Sequence, residues 1–335
     1  MKEVTGMSEN DKVGRFIIYG AGGIGGVIGG HLAMAGLDVV LIGRPAHMDA
    51  IRRYGLKLIK PEGTHTILLT TATSPGEIRF RPGDIVLLTM KSQNTEKAMR
   101  DLHDAVDDIP VCCVQNGIRN EELAARHFSR VYGARINIGA VYINPGEVVC
   151  RRDPPGWIII GRYPTGTDTL AKTVGAELQK AGLYVLVTPD VMPYKWGKLM
   201  TNLFNAVGAI TNDNFANSRR IIQAVQEEAR QILSEASIRW LSEEQIRQSW
   251  PDFGAKPKAT IKTEEQSSTW QSLARQQGSV ETEFLNGEIV RIAKTLGKKA
   301  PVNETITRIT QEMAGKRQKP GTYTTAELEK LLWLV

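Results

Sequence analysis

Only three cysteines occur in 335 residues, and two of them, Cys112 and Cys113, are adjacent inside an apolar run. An odd, clustered set of this kind argues against a disulfide framework and for buried reduced thiols in a cytosolic chain. No Cys/His spacing suits a zinc site, so no metal is expected. Long hydrophobic runs are also missing. Ile85–Met90 is among the longest and falls far short of a bilayer span, so no membrane partner is expected. Met1–Gly14 is polar, mixed in charge and without an apolar centre; it reads as a flexible extension before the first strand, not a secretory signal. There is no basic block. The formal charge of +6 comes from 42 Lys and Arg against 36 Asp and Glu spread along the chain, without interleaved aromatics. That distribution argues against nucleic acid and suits an anionic cofactor and a small anionic substrate. No repeat of fixed period and no low-complexity tract interrupts the sequence.

The 32 glycines are not scarce, and seven of the first eleven fall within 20–30. Phe16–Tyr19 is an apolar run of strand type that feeds into Gly20-Ala21-Gly22-Gly23-Ile24-Gly25, a G-x-G-x-x-G loop. Val27, Ile28, His31, Leu32 and Ala35 then recur at helical spacing. Strand, glycine loop and helix in this order form a dinucleotide site: the first glycine turns the chain, the second admits a pyrophosphate, and the third lets the helix pack close. Asp38–Ile42 reads as the second strand and ends in Gly43-Arg44, with no acidic residue to accept from a ribose 2′-hydroxyl. Arg44 there favours the 2′-phosphate of NADPH/NADP+, with Arg52 or Arg53 as lesser candidates. Leu56–Lys60 and His65–Thr71 read as a strand pair off the main sheet. Asp84–Met90 and Pro110–Val114 read as buried parallel strands ending in polar clusters, Lys91-Ser92-Gln93-Asn94 and Gln115-Asn116-Gly117. Ligands bind beyond such strand ends, which makes Lys91 a cofactor candidate and Asn116 a candidate for cofactor or substrate. Val131–Ile136, Ala140–Asn144, Glu147–Arg151 and Trp157–Ile160 suggest an antiparallel extension of the sheet. Leu170–Ala181 reads as a helix and Tyr184–Val187 as a last strand, with a hinge at Thr188-Pro189-Asp190.

Beyond residue 190 the pattern is helical: Pro193–Ile210, Asn217–Ile238, Ser242–Trp250, Glu281–Leu296, Asn303–Gly315 and Thr325–Leu332. Ser242-Glu243-Glu244-Gln245 has the form of a capping box. The expected architecture is a Rossmann-type α/β domain over 15–189 followed by an all-α domain over 190–335. On a single helix Lys198, Asn202 and Asn205 stand at i, i+4 and i+7, beside the apolar stripe Leu199, Leu203, Ala206 and Ile210. An ammonium and two amides on such a face fit a ligand. They equally fit a lysine reaching solvent with asparagines bonded across a helix interface.

Gly20–Gly25, Gln115-Asn116-Gly117, Lys198-Leu199-Met200-Thr201-Asn202, Glu281-Thr282-Glu283-Phe284-Leu285-Asn286-Gly287 and Pro301-Val302-Asn303 follow one another in that order. In this the chain resembles the ketopantoate reductase (2-dehydropantoate 2-reductase) family from Arg15 to about Gly315. The glycine loop is shared with many dehydrogenases, whereas K-L-x-x-N with E-x-[DE]-x-x-N-G is far more specific. The resemblance implies NADPH-dependent reduction of 2-dehydropantoate to (R)-pantoate. It implies Lys198 as catalytic lysine, Glu281 as active-site glutamate, and Asn116, Asn202 and Ser268 as substrate ligands. Two departures stand out. The further family asparagine lies four residues after the one matching Asn202, where this chain has Ala206, leaving Asn205 as the nearest match. The spacing from Ser268 to Glu281 is one residue longer than the common form, leaving Thr269 as an alternative carboxylate ligand. A related reductase of another 2-oxo or 3-oxo acid shares the same pattern. A homodimer is open.

Overall fold

In a computed structural model, residues 12–211, 213, 217–261 and 267–333 are described. Residues 1–11 of the expected N-terminal extension lie outside them; Gly14 already bonds to the Gly83 carbonyl at 2.8 Å. The chain divides into two units, Met1–Lys195 with Ser242–Thr263, and Trp196–Leu241 with Glu264–Val335.

The strands of the first unit are β1 (Arg15–Tyr19), β2 (Val39–Ile42), β3 (Leu56–Lys60), β4 (Gly63–Ile67), β5 (Thr70–Ala72), β6 (Asp84–Leu88) and β7 (Val111–Cys113). They continue as β8 (Val131–Ile138), β9 (Ala140–Tyr142), β10 (Glu147–Cys150), β11 (Arg152–Asp153), β12 (Gly156–Arg162), β13 (Tyr184–Val187) and β14 (Ala259–Thr260). Eight of them form one sheet in the order β13-β12-β8-β7-β6-β1-β2-β5. From β5 to β8 every neighbouring pair is parallel, which is the doubly wound order of a dinucleotide fold. Both faces of the central strands are covered, so these are mainly apolar: all five residues of β6 are buried, four of them apolar. The side chains alternate between two cores, Ile18, Leu41 and Leu87 against the helices Gly23–Met34 and Thr169–Lys180 on one face, Ile17, Val40 and Val86 against Thr95–His103 on the other.

The expected antiparallel extension is only partly formed. β12 does run antiparallel to β8, but β8 itself joins the parallel set through β7. β9 and β10 leave the sheet altogether and complete a second one, β4-β3-β10-β9, around the hairpin Leu56–Ile67. The glycine-loop helix lies between the two sheets and is built for it. A Cβ on Gly29 would stand 2.7 Å from Leu41 of the main sheet, and one on Gly26 would stand 2.8 Å from Val148 of the second. β14, far along the chain, pairs antiparallel with β11, so Ser242–Thr263 folds onto the first unit. Its helix Glu243–Ser249 opens with the expected capping box: Ser242 N donates to Gln245 Oε1 at 2.8 Å, and Gln245 N to Ser242 Oγ at 3.2 Å.

The second unit is helical. The long helix expected over Pro193–Ile210 is two helices, Met192–Asn202 and Asn205–Thr211, with a break at Leu203-Phe204. The segment expected as one helix over Glu281–Leu296 is likewise a 3-10 turn, Glu281–Phe284, followed by the helix Asn286–Thr295. A further helix, Ser268–Ala274, was not anticipated. Among the described residues no helix is long and apolar enough to cross a membrane.

Candidate active site

The glycine loop takes the form its spacing predicts. Gly20 has φ of +106°, a conformation costly to residues with a Cβ, and a Cβ there would stand 2.4 Å from Met90 N. The loop after β1 therefore presses directly on the backbone after β6, at the switch point where the strand order reverses. A Cβ on Gly25 would meet Thr89 Oγ1 at 2.5 Å and Gly20 O at 2.8 Å, which is the close helix packing expected of the third glycine. Thr89 Oγ1 donates to Gly20 O at 3.0 Å and ties the two strand ends together. Gly22 differs. A Cβ there would meet no protein atom nearer than 3.9 Å, so packing does not require a glycine at this position. It leaves open space directly before the first helical turn, Gly23-Ile24-Gly25. Ala21 is buried between the two.

Arg44 is exposed at the end of β2, as the N-cap of the helix Pro45–Tyr54. Its guanidinium carbon lies 5.8 Å from the centre of the Tyr142 ring. His47, one turn on, is buried against the edge of that ring at 5.0 Å and accepts from Gly146 N through Nδ1 at 2.8 Å. Burial first, and then the charge of Arg44, lower its pKa to about 4, so the ring is neutral. Tyr142 thus flanks Arg44 from the second sheet, and His47 from the helix that Arg44 caps. The approach of Tyr142 is not legible in sequence, because it depends on β9 and β10 leaving the main sheet. Arg52 is engaged with Asp49 at 2.7 Å.

The polar clusters after β6 and β7 prove to be cross-linked. Gln115 Nε2 donates to Met90 O at 2.9 Å and to Thr95 Oγ1 at 2.8 Å, and Thr95 donates to Asn120 Oδ1 at 2.8 Å. The Asn116 carbonyl accepts from Ser92 Oγ at 3.0 Å and Asn120 Nδ2 at 2.8 Å. Gln115 is therefore a brace, whereas the side-chain oxygen of Asn116 is buried with no partner. A buried acceptor without a donor is costly unless a ligand supplies one. Lys91, half-buried, follows β6 at the switch point, where such sheets have their crevice beyond the strand ends, as N-cap of the turn Ser92–Asn94.

In the second unit, Lys198 and Asn202 lie one turn apart on the helix Met192–Asn202, both half-buried, while Leu199 and Met200 are buried. Gly197 beside Lys198 is obligatory: a Cβ there would fall 1.8 Å from Leu241 O. The break that follows removes Asn205 from that helix, so the expected i, i+4, i+7 face does not exist. It exists as i, i+4 only, and Asn205 begins the next helix. Side chains hold a carbonyl at the break and one at the start of the next helix. Asn286 Nδ2 donates to Leu203 O at 3.0 Å, and Ser267 Oγ donates to Asn205 O at 3.1 Å. Ser267 also caps the helix Ser268–Ala274 by accepting from Trp270 N. Ser268 is half-buried at the first position of that helix, next to Thr269, whose buried hydroxyl has no partner. Glu281 is buried at the start of its 3-10 turn. Asn286 and Asn303, both in motifs, are structural. Asn286 donates to Asn303 Oδ1 at 3.0 Å, and Asn303 donates to Val225 O at 3.1 Å and Glu228 Oε1 at 2.9 Å. Glu228 in turn accepts from Val302 N at 2.9 Å and Asn303 N at 2.8 Å, closing the N-terminus of the helix Pro301–Gly315. Asn286, Ser267 and Asn205 are thereby gathered around one helix break.

A family model described as ketopantoate reductase PanE/ApbA matches residues 16–165, and one described as ketopantoate reductase PanE/ApbA C terminal matches residues 190–314. A 2-dehydropantoate 2-reductase of Pyrococcus horikoshii is 32% identical over 303 residues, covering 86% of this chain and 94% of its own length. A crystal structure of a PanE/ApbA family ketopantoate reductase from Ralstonia eutropha superposes with a TM-score of 0.76 at 26% identity, over 90% of this chain and 99% of its own. A D-mandelate dehydrogenase, solved with NADH and anilino(oxo)acetate, has a TM-score of 0.78 at 21% identity over the same shares, a likeness of fold.

Proposed function

The chain belongs to the ketopantoate reductase family and is an oxidoreductase acting on CH–OH groups, and from that premise we propose that it reduces 2-dehydropantoate to (R)-pantoate with NADPH, on the route to pantothenate and coenzyme A. The observation that carries the reading is the pair Lys198 and Asn202, an ammonium and an amide half-buried one turn apart beside a buried apolar face. The uncrowded Gly22 and the partnerless Asn116 oxygen fit a dinucleotide in the first unit. Gly20–Gly25 would take the pyrophosphate, Arg44 the 2′-phosphate, and Lys91 and Asn116 the nicotinamide side.

The nicotinamide, when bound, supplies the hydride. This chain's residues do the rest. As the new C–H bond forms, the carbonyl π electrons move to oxygen. The Lys198 ammonium balances the charge and gives that oxygen its proton, leaving an alcohol and a neutral lysine that regains a proton from water. Glu281 orients Lys198 or accepts from the substrate hydroxyl. Asn202 and Asn205 hold the hydroxyl end, and Ser268, or its neighbour Thr269, the carboxylate. The assay is kcat/KM by nicotinamide absorbance for ketopantoate against other 2-keto acids, with NADPH and with NADH. Ketopantoate with NADPH is expected to lead. Lys198→Ala should keep its dinucleotide affinity within about twofold and lose about 10²–10⁴ in kcat. A near-normal kcat in that variant sinks the lysine's role, and a keto acid that outruns ketopantoate sinks the substrate.

A further inference from the structure

Lys195 and Glu121 form an ion pair in the interior of the first unit, with 2% and 0% of their side chains exposed. Neither belongs to a motif that the reaction uses. Burying two ions costs about what their attraction returns, and an apolar pair of equal volume often does as well or better, so stability is a poor account of it. Burial raises the Glu121 carboxyl pKa, against the pull of Lys195. Glycine at position 133 on β8 leaves the pair its room, since a Cβ there would stand 3.2 Å from Glu121 Oε1 and 3.2 Å from Val191. The thiols of Cys112 and Cys113 are the other titratable groups that feel its charge.

Besides Glu121, Lys195 Nζ has one more acceptor, the backbone carbonyl of Gln115 at 3.3 Å. Gln115 is the brace of the crevice: its amide holds Met90 O, and the Met90 backbone is what abuts Gly20. The next residue is Asn116, whose carbonyl is held by Ser92 and Asn120 while its side-chain oxygen is unpaired. A single ammonium therefore sits behind both the loop after β7 and, through Gln115, the loop after β6.

We propose that Lys195 and Glu121 are positioning residues: the buried pair grips the Gln115 carbonyl and thereby sets the Asn116 amide and the Met90-Lys91 backbone against the glycine loop. This rests on the reading of that crevice as the dinucleotide site. Displacing such a loop by an ångström is worth about 10²-fold in rate.

The test is the double variant Lys195→Met/Glu121→Leu, which removes both charges and keeps the bulk. Its expected melting midpoint is within a few degrees of wild type, with a raised KM for the dinucleotide and a kcat/KM reduced about 10–100-fold. Wild-type melting with wild-type kcat and KM overturns the proposal, because a merely structural pair requires no more. If the double variant fails to fold, the isosteric Glu121→Gln decides: a normal KM and kcat overturn the proposal, and a KM increase without loss of fold supports it. Asn116→Ala, measured alongside, separates the two failures. Wild-type kinetics in Asn116→Ala bring down the site itself, whereas impaired Asn116→Ala with an unimpaired double variant brings down only the positioning.

Discussion

Replacing Asn286 by alanine removes two donors from the middle of the second unit at once. The acceptors they leave, Leu203 O and Asn303 Oδ1, belong to residues that are fully buried, so water cannot take over. Each orphaned acceptor costs about 1–3 kcal/mol. Asn303 keeps its bonds to Val225 and Glu228, which holds the sum near the low end, at about 3 kcal/mol. For a unit of this size that lowers the melting midpoint by roughly 10 °C. The effect should also be local. Leu203 O is the carbonyl that pays for the helix break, so the amides from Leu203 to Gly208 should lose hydrogen-exchange protection before the rest of the unit. Asn286→Asp, which sets oxygens against oxygens, should cost at least as much. Calorimetry and exchange mass spectrometry read both quantities. A midpoint within about 2 °C of wild type and unchanged protection at the break would refute the reasoning.

Three further outcomes follow from particular contacts. Arg44→Ala should raise the KM for NADPH about tenfold or more and leave NADH within about twofold, since only the former has a 2′-phosphate for a charge-assisted bond; equal losses would remove Arg44 from the site. His47 and His31 are buried with pKa values of about 4, burial being the larger cause in each, so between that value and the unfolded value of about 6.5 the unfolded chain binds the extra protons. Their contribution is therefore complete above about pH 6.5 and is lost as pH falls, about 2 kcal/mol for each at pH 5. His47→Asn keeps an acceptor for Gly146 N and should remove one proton's worth of that slope in melting curves taken from pH 7 to 5; an unaltered slope would contradict the assignment. Arg135 is 2% exposed beside the touching rings of Trp157 and Phe253, with guanidinium carbon to ring centre distances of 5.2 and 4.9 Å, and its Nε and Nη1 have no partner. Arg135→Met should consequently leave the melting midpoint unchanged or raise it, and a fall of more than about 4 °C would show the cation–π contacts to be worth more than the desolvation of the guanidinium.

The N-terminal half was legible because its signals are local. Gly20–Gly25 lies between an apolar run and a helical period, and the φ of +106° at Gly20 is a property of a few consecutive residues. Strands buried on both faces, such as Asp84–Leu88, announce themselves as unbroken apolar runs. Which strand joins which sheet was not legible. Val131–Ile138 and Ala140–Tyr142 are separated by one residue and have similar composition, yet they belong to different sheets. The helical half shows the same limit. The apolar period runs on through Leu199, Leu203, Ala206 and Ile210, and the side chain that holds the Leu203 carbonyl at the break, Asn286, comes from 83 residues away.

What the amino-acid order determined by itself was therefore a dinucleotide loop, the elements that flank it, and the motif residues Lys198, Asn202 and Glu281. Each of these depends on neighbours within a turn or a strand. What only the tertiary structure decided was the work of the remaining polar residues. It made Gln115, Asn286 and Asn303 braces, left the Asn116 oxygen unpaired, and buried Lys195 against Glu121. A polar side chain reads the same in sequence whether it meets a ligand, a carbonyl or an ion. Burial sets the cost of leaving it unpaired, and burial is a property of the folded chain.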